Sequence, residues 1–385
     1  MARRLVLLLT LLLTLLLTLG LTLVSVTSAE AEAPLDTWYQ VPALKPSDPQ
    51  TRRGGKHIRA AWDDKRARFV IAGGDRDGSD IGQPSVKALD PTTGLTTVLS
   101  PMCPQDTEYM PHFPDNVGWT YDSKRDELLM FRGFYGTSYK VAAKVCKRTD
   151  DKVLATDVVF NPQTNQWLPH PWPISPVGYG NDGSGPSQAI YSPLTDSVYL
   201  YKNSGSWGLL LLILHRATNA WQILKVGERS SGAQRSAVKN AGCYRSQPAI
   251  LDGWLYCVSS RGKNSALVRL SLKDPTSGEA FPMPEGFEGT SDDVENWLVA
   301  HPGAKVLLYP YFKGLTSPVL ALHIWDASKK AWETREMPAP PDVHEPVSGG
   351  TVTFNPLTEE LVICCRALKG FDGYVTWRYR YGKRG

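Results

Sequence analysis

Net charge is what this chain has least of. Lys and Arg number 42 against 38 Asp and Glu over 385 residues, a formal +4 at pH 7. The concentrated basic face of a dedicated nucleic-acid binder is therefore missing. Cysteine is scarce, with six residues, and none of their spacings resembles a zinc site. The seven histidines are scattered without metal-ligand spacing. No Gly-x-Ser-x-Gly elbow and no phosphate-cradling glycine loop occurs, so the motif-borne hydrolase and nucleotidase signatures are excluded. No Asn-x-Ser/Thr sequon is present either. A hydrophobic share of 42% excludes wholesale disorder.

Only one apolar run is long enough to cross a bilayer, residues 5–26, rich in a Leu-Leu-Leu-Thr repeat. Arg3 and Arg4 precede it and Ala29-Glu30-Ala31 follows it. A charged start, an apolar middle and an A-x-A end describe a secretory signal peptide cut after Ala31, with a retained membrane anchor as the alternative. No cysteine near the end of the run offers a lipoprotein anchor. Beyond this segment no membrane contact is expected. The address is periplasmic or extracellular, and an oxidising compartment permits disulfides. Cys243 and Cys257 flank a short apolar stretch around Asp252-Gly253, which predicts a disulfide across a β-hairpin. Cys103 and Cys146 form the second predicted pair. Cys364 and Cys365 are adjacent in a predicted strand, on opposite faces, and read as two separate thiols. Buried free thiols packed as small hydrophobes are the alternative for all six.

What the chain does have is turn formers and aromatics: 33 Gly, 29 Pro, 12 Trp and 16 Tyr. Many short strands joined by tight turns use that mixture. Six segments repeat one pattern of apolar strand, polar turn and apolar strand, with turns near residues 63–66, 122–125, 192–195, 252–253, 301–303 and 355–358. Five are followed by an outer hairpin whose turn carries Asp, Asn, Thr or Gly and whose last strand opens on an aromatic or β-branched residue, as in Asn161-Pro162-Gln163-Thr164-Asn165 before Trp167. The sixth lacks its last strand because the chain ends. Residues 36–42, with Trp38 after an Asp-Thr pair, have the missing form. An N-terminal strand completing the last unit closes a ring of sheets and removes open edges. The predicted fold is all-β, a six-bladed β-propeller of four-stranded blades spanning residues 35–385 as one domain after a 1–31 signal peptide. The 354 residues left after cleavage give 59 per blade.

The apolar run into Gly73-Gly74, then Asp90-x-x-Thr93, and the later copy Asn161-x-x-Thr164-x-x-Trp167 resemble the kelch repeat. The chain is similar to kelch-type propellers, including the central domain of galactose oxidase. Only the first unit keeps the double glycine; Arg132-Gly133 and Lys202-Asn203 stand in its place in the next two. The copper-radical chemistry of galactose oxidase needs an adjacent Tyr-His pair that this sequence lacks. The sialidase Ser-x-Asp-x-Gly-x-x-Trp box is also absent. The resemblance implies fold and leaves activity open.

The loops leading into the inner strands converge around the axis of a propeller. The residues they carry there are His57, Arg59, Asp115, Asn116, Gln188, Arg245, Gln247, Glu295, Asn296 and Glu345, with Trp297 among them. This mixed polar set suits a sugar or a peptide held by hydrogen bonds and stacking; the competing reading is a channel mouth that is polar because it is wet. Asp75, Asp77 and Asp80 around Gly78 could hold calcium but lack EF-hand spacing, and read equally as an Asp-Gly turn. No other cofactor is expected. Three functional readings follow: an exported module that binds carbohydrate or extracellular protein; a carbohydrate-active enzyme such as an epimerase or mutarotase, with Glu295 or Glu345 exchanging a proton and His57 or Arg59 holding an anion; or an envelope scaffold.

Overall fold

The structure is a computed structural model that describes residues 35–41, 59–72, 76–77, 80–81, 86–100, 118–131, 157–173, 188–204, 208–226, 229–230, 237–238, 243, 246–259, 265–287, 296–312, 319–338, 351–367 and 374–382. The signal segment, Cys103 and Cys146 lie outside them.

Six antiparallel four-stranded sheets form the blades of a propeller. Blade I is Arg59–Asp63, Arg68–Ala72, Val86–Leu89 and Thr96–Ser100; blade II is Gly118–Asp122, Glu127–Phe131, Val158–Asn161 and Gln166–Pro169. Blade III is Ile190–Ser192, Ser197–Ser204, Gly208–His215 and Ala220–Lys225; blade IV is Ala249–Leu251, Trp254–Ser259, Ala266–Ser271 and Gly278–Pro282. Blade V is Val299–His301, Val306–Phe312, Val319–Asp326 and Ala331–Pro338. Blade VI takes Thr351–Asn355, Glu360–Ala367 and Tyr374–Arg380 from the C-terminal end and Trp38–Val41 from the N-terminal end. Trp38 pairs with Tyr379 and Val41 with Thr376, so the ring closes as the sequence predicts. Each inner strand neighbours the inner strand of the next blade, and the first neighbours the sixth.

The turns follow a local code. Asp90, Asn161, Asp274 and Asp326 each accept the N–H of the residue two ahead, and Asp90, Asn161 and Asp326 also that of the residue three ahead. These are Asx turns, in which a short polar side chain mimics the turn's own backbone bond. Asp122 does the same in the inner turn of blade II, Asn355 in blade VI, and in blade V His301 Nδ1 accepts the Ala304 N–H. Blade IV alone uses a two-residue turn, with Asp252 at φ 49° and Gly253 at φ 77°, the left-handed pair that a type I′ hairpin requires.

The core is divided into six layers, one per blade interface. Residues 209–214 show why a continuous apolar run is needed: Leu209, Leu211 and Ile213 pack toward blade IV, while Leu212 and Leu214 pack toward blade II. Strands buried on both faces lose the polar half of their alternation. Among the described residues the VI–I layer is the smallest, with Val362 meeting Ala60, Phe69, Ile71 and Leu89.

The tryptophans that open the outer strands stitch neighbouring blades at the rim. Trp167 Nε1 donates to Ser100 Oγ of blade I, Trp221 Nε1 to the Pro173 carbonyl beyond blade II, and Trp332 Nε1 to the Pro282 carbonyl of blade IV, at 3.0, 2.8 and 3.0 Å. Trp38 Nε1 meets Met337 Sδ of blade V at 3.0 Å. Each indole fills the rim with apolar area and satisfies its N–H on the preceding blade.

The disulfide Cys243–Cys257 is formed, with Cα atoms 5.8 Å apart. It does not cross a hairpin. Cys257 pairs with Val268 within the blade IV sheet, whereas Cys243 precedes the inner strand. The bond therefore fastens the segment leading into blade IV to the sheet, and both residues are buried in the III–IV layer. Cys364 and Cys365 are consecutive in Glu360–Ala367, and the register of this strand with Tyr374–Arg380 shifts between Ile363 and Arg366.

Candidate functional site

Counting back from the inner turns, one position recurs where each inner strand begins: Arg59, Gly118, Gln188, Gln247, Trp297 and Thr351. In blade IV the register assigns this place to Gln247, one residue before the Pro248 that sequence spacing selects. Gly118 occupies its place because a Cβ there would come within 3.0 Å of Leu200 Cδ2 and 3.1 Å of Phe131 Cβ, so the missing side chain lets blades II and III close. Arg59 and Gln188 are buried and partnered.

Between blades IV and V the ring carries an extra element. Ser246–Gln247 and Asn296–Trp297 form a two-stranded parallel ribbon in which Gln247 is opposite Trp297. Gln247 Oε1 and Trp297 Nε1 are both buried without a hydrogen-bond partner among the described residues. A buried acceptor and a buried donor at opposed positions are an unfilled requirement, since such groups are nearly always bonded to protein, water or ligand. Of the sequence-predicted set, the structure thus brings Arg59, Gln188, Gln247 and Asn296 to the beginnings of inner strands. His57, Asp115, Asn116, Arg245, Glu295 and Glu345 lie outside the described residues. The calcium candidates Asp77 and Asp80 pair opposite one another in the small ribbon Arg76–Asp77 and Asp80–Ile81, and Asp75 is outside the described residues. Among the described residues no group of three His, Cys, Asp or Glu side chains is placed to hold a metal, and no helix is long and apolar enough to cross a membrane.

The other face of the ring, built from the tight turns, is electrostatic in blades I to III. Arg66 of blade I grips Asp126 of blade II through Nη1 and Nη2, both at 2.8 Å, and also reaches its own Asp63. One blade on, Arg125 grips Asp196 at 2.7 and 2.9 Å and its own Asp122 at 3.0 Å. Tyr121 and Tyr191 donate to the same two carboxylates. Arg66 and then Tyr121 hold Asp126 at a pKa of about 2, and Arg125 likewise depresses Asp196. Burial beside these carboxylates pushes the Tyr121 and Tyr191 phenols upward. Asp122, fully buried, also accepts from Arg216 Nε at 2.9 Å. These groups are mutually saturated and serve cohesion between blades.

Sequence reading missed this relay and also Arg269 and Arg378, two arginines inside third strands. Their signal was a cation interrupting an apolar alternation, as in Ala266-Leu267-Val268-Arg269-Leu270.

No protein-family profile and no curated protein sequence matches this chain. Solved structures match it as folds. The SapL1 lectin, solved with alpha methyl fucoside, shares 9% identity and a TM-score of 0.51, over 87% of this chain and 96% of that one. TolB from Acinetobacter baumannii shares 11% identity with a TM-score of 0.42; the alignment covers 74% of this chain and only 55% of TolB. A Bacteroides thetaiotaomicron protein of unknown function aligns over 89% of this chain and 72% of its own length, with 10% identity and a TM-score of 0.47. At such identities the likeness is one of architecture.

Proposed function

We propose that this protein is an exported, kelch-like binding module that takes a carbohydrate, or a segment of an extracellular protein, at the mouth of the ring where the inner strands begin. The observation that carries this reading is the opposed pair of unfilled groups, the Gln247 acceptor and the Trp297 donor, on the IV–V ribbon. A ligand rich in hydroxyls answers both, because a hydroxyl can donate to an amide oxygen and can accept from an indole N–H. Convergence of strand beginnings on one axis supplies the concave geometry that small ligands use. The disulfide supports an oxidising compartment, in keeping with the signal-peptide pattern of residues 1–31.

A carbohydrate-array screen on the protein from residue 32 onward, with and without calcium, tests the reading. Alpha methyl fucoside belongs in the panel because a propeller of the same fold was solved with it. Gln247→Leu combined with Trp297→Phe removes both polar atoms and leaves apolar side chains in their places. A glycan or peptide hit that this variant loses supports the ring-mouth site. A hit of undiminished strength places recognition elsewhere and overturns it.

A further inference from the structure

Prolines decide where the IV–V ribbon leaves its parent sheets. In blades I, II and VI the residue at the ring mouth is paired within its own sheet, Arg59 with Ala72, Gly118 with Phe131 and Thr351 with Cys364. In blades IV and V that pairing stops two residues short, at Ala249 with Tyr256 and Val299 with Leu308. Continuing the blade IV register would set Pro248 opposite Cys257 and Gln247 opposite Val258. Continuing that of blade V would set Trp297 opposite Pro310. Proline has no N–H to give to a ladder, so each sheet has a break at this level. Ser246–Gln247 and Asn296–Trp297 pair with each other instead, in parallel.

Two parallel pairs have little stability of their own, so the ribbon depends on what holds its two strands. On the blade V side Trp297 is packed into the V–VI layer. On the blade IV side the hold falls on two consecutive residues of the second strand. The Val258 N–H donates to Ser246 Oγ at 3.3 Å, a hydroxyl doing what the carbonyl of a continued inner strand would do. Cys257 carries the disulfide to Cys243. The Ser246 N–H donates to the Cys243 carbonyl at 3.3 Å, a tight turn that joins the covalent bond to the ribbon. Both cysteines are fully buried. Farther upstream Val238 is buried in the III–IV layer, and Ser230 Oγ both donates to the Gly278 carbonyl and accepts the Gly278 N–H. Among the described residues the disulfide is thus the last apolar anchor before the mouth.

We propose that the Cys243–Cys257 bond is the positioning element of the ring mouth and makes its readiness to bind depend on oxidation. With the bond formed, the turn from Cys243 to Ser246 is fixed on the second strand, and Gln247 is held opposite Trp297. Without it the ribbon opens and that pairing is lost. The blades stay together, because Leu211, Ile213, Leu255, Val268 and Leu270 remain packed in the III–IV layer. The bond forms as two thiols give two protons and two electrons to a disulfide oxidant, which leaves as two thiols. The mouth is therefore set in an oxidising compartment and unset in a reducing one. This inference rests on the ring-mouth reading for what the site takes, and on the fold alone for how the site is held.

Hydrogen exchange by mass spectrometry needs no ligand and tests the hold on the whole protein from residue 32. In Cys243→Ala/Cys257→Ala both residues stay small and apolar. The peptides carrying Ser246–Gln247 and Asn296–Trp297 are expected to exchange at least about tenfold faster, while the strands of blades I and II change by less than about twofold. The indole N–H resonance of Trp297, assigned by its loss in Trp297→Phe, is expected to shift. Ser246→Ala keeps the disulfide and is expected to speed the same two peptides by a smaller factor. An equal rise in the two variants assigns the hold to the hydroxyl and overturns the proposal. A uniform rise over all six blades, or a double variant that does not fold, makes the bond a general staple and overturns it too. Unchanged exchange at the ribbon does the same.

Binding separates this inference from the reading it deepens. A glycan that the wild type binds at the mouth is expected to bind the double cysteine variant at least about tenfold more weakly, because a loosened site must be ordered first. Equal affinity overturns the proposal. A glycan whose binding survives Gln247→Leu with Trp297→Phe overturns the ring-mouth reading instead, and the exchange result then decides this inference by itself.

Discussion

Blades I to III and blades IV to VI share one backbone and hold their neighbours by different means. In the first three, cohesion on the turn face is ionic and passes from blade to blade, Arg66 to Asp126 and Arg125 to Asp196. In the last three the corresponding turns carry Asp252-Gly253, Lys305 and Glu359 at their left-handed positions, where blades II and III carry the carboxylates of Asp126 and Asp196. Cations have moved inward instead, to Arg269 and Arg378, where aromatic rings cover them. The closing seam combines both solutions. Among the described residues it has the smallest apolar layer, and beside it Arg378, Glu360 and Tyr39 fasten the N-terminal strand, while Asp36 accepts from Arg335 Nη1, the Tyr379 hydroxyl and the Gly382 N–H. At this seam buried charges meet complementary partners, and they add to the apolar contacts in holding the ring closed.

The contrast breaks most sharply at Glu360. Glu360→Leu leaves Arg378 buried without its counter-ion and removes the anchor of Tyr39, so urea unfolding is expected to show a loss of about 3–5 kcal/mol. Adding Arg378→Ile, the residue of blades III and V, is expected to recover most of it, because removing both charges together is far cheaper than stranding one. Failure of the second change to rescue the first would mean that Glu360 acts through its hydroxyl partners alone. The next largest effect separates equivalent turn residues. Asp122→Ala removes the shared acceptor of two turn N–H groups and part of the compensation of the buried Arg216, at a cost of about 2–3 kcal/mol. His301→Ala in blade V forfeits one turn bond and is expected to cost about 1 kcal/mol. Equal losses in thermal melts would erase the distinction between the two halves.

How much of this was legible in the residues depended on range. Turn chemistry is local, so Asp90, Asn161 and Asp326 announced their hairpins, and six inner turns sufficed for the blade count and the split sixth blade. The outer-strand tryptophans were visible as a repeat, but not their task, because Trp167 and its acceptor Ser100 are 67 residues apart. The Arg66–Asp126 and Arg125–Asp196 pairs were invisible for the same reason; each residue alone reads as a solvated turn charge. Cys243–Cys257 was identified as a pair while its geometry was misjudged, since spacing fixes separation and not which segment forms the hairpin. Of the ring-mouth set, spacing located the strand beginnings to within one residue, Pro248 against Gln247. It could not say which of those groups lack partners, a property of packing.

Acid should separate the two halves as well. Asp126, held at about 2, and Asp196, also depressed, are bonded in the fold by Arg66 and Arg125. Both therefore bind protons less readily folded than unfolded, where Asp titrates near about 3.9. Their contribution is complete above that value and is lost as the pH falls through the folded pKa, from about 4 toward about 2. Hydrogen exchange between pH 5 and 2 is expected to show protection in the turns of blades I to III falling before that of the blade IV turn, which has no such pair. Asp126→Asn is expected to flatten the pH dependence of stability in this window, and an unchanged slope would assign acid sensitivity to other carboxylates. Asp36 complicates the seam in the same direction: burial raises its pKa, but Tyr379, Gly382 and Arg335 outweigh that and lower it.

The smallest expected effect is the most local. Ala67 closes the inner turn of blade I at φ 50°, in the left-handed region, exposed and with no side-chain bond that its methyl could make. In blades II and III the same place is held by Asp126 and Asp196, whose ion pairs with the preceding blade offset the strain of that conformation. Blade I has no such compensation at Ala67, so the ring carries the backbone cost there for nothing in return. Glycine relieves a left-handed penalty of about 1–2 kcal/mol and restores about 0.5–1 kcal/mol of unfolded-state entropy. Ala67→Gly is therefore expected to stabilise the protein by about 0.5–1 kcal/mol in urea unfolding, while Asp126→Gly at the equivalent place destabilises it, because the Arg66 pair is worth more than the strain it imposes. A destabilising Ala67→Gly would show that the turn of blade I depends on a stiff backbone, and that its ionic neighbours merely decorate it.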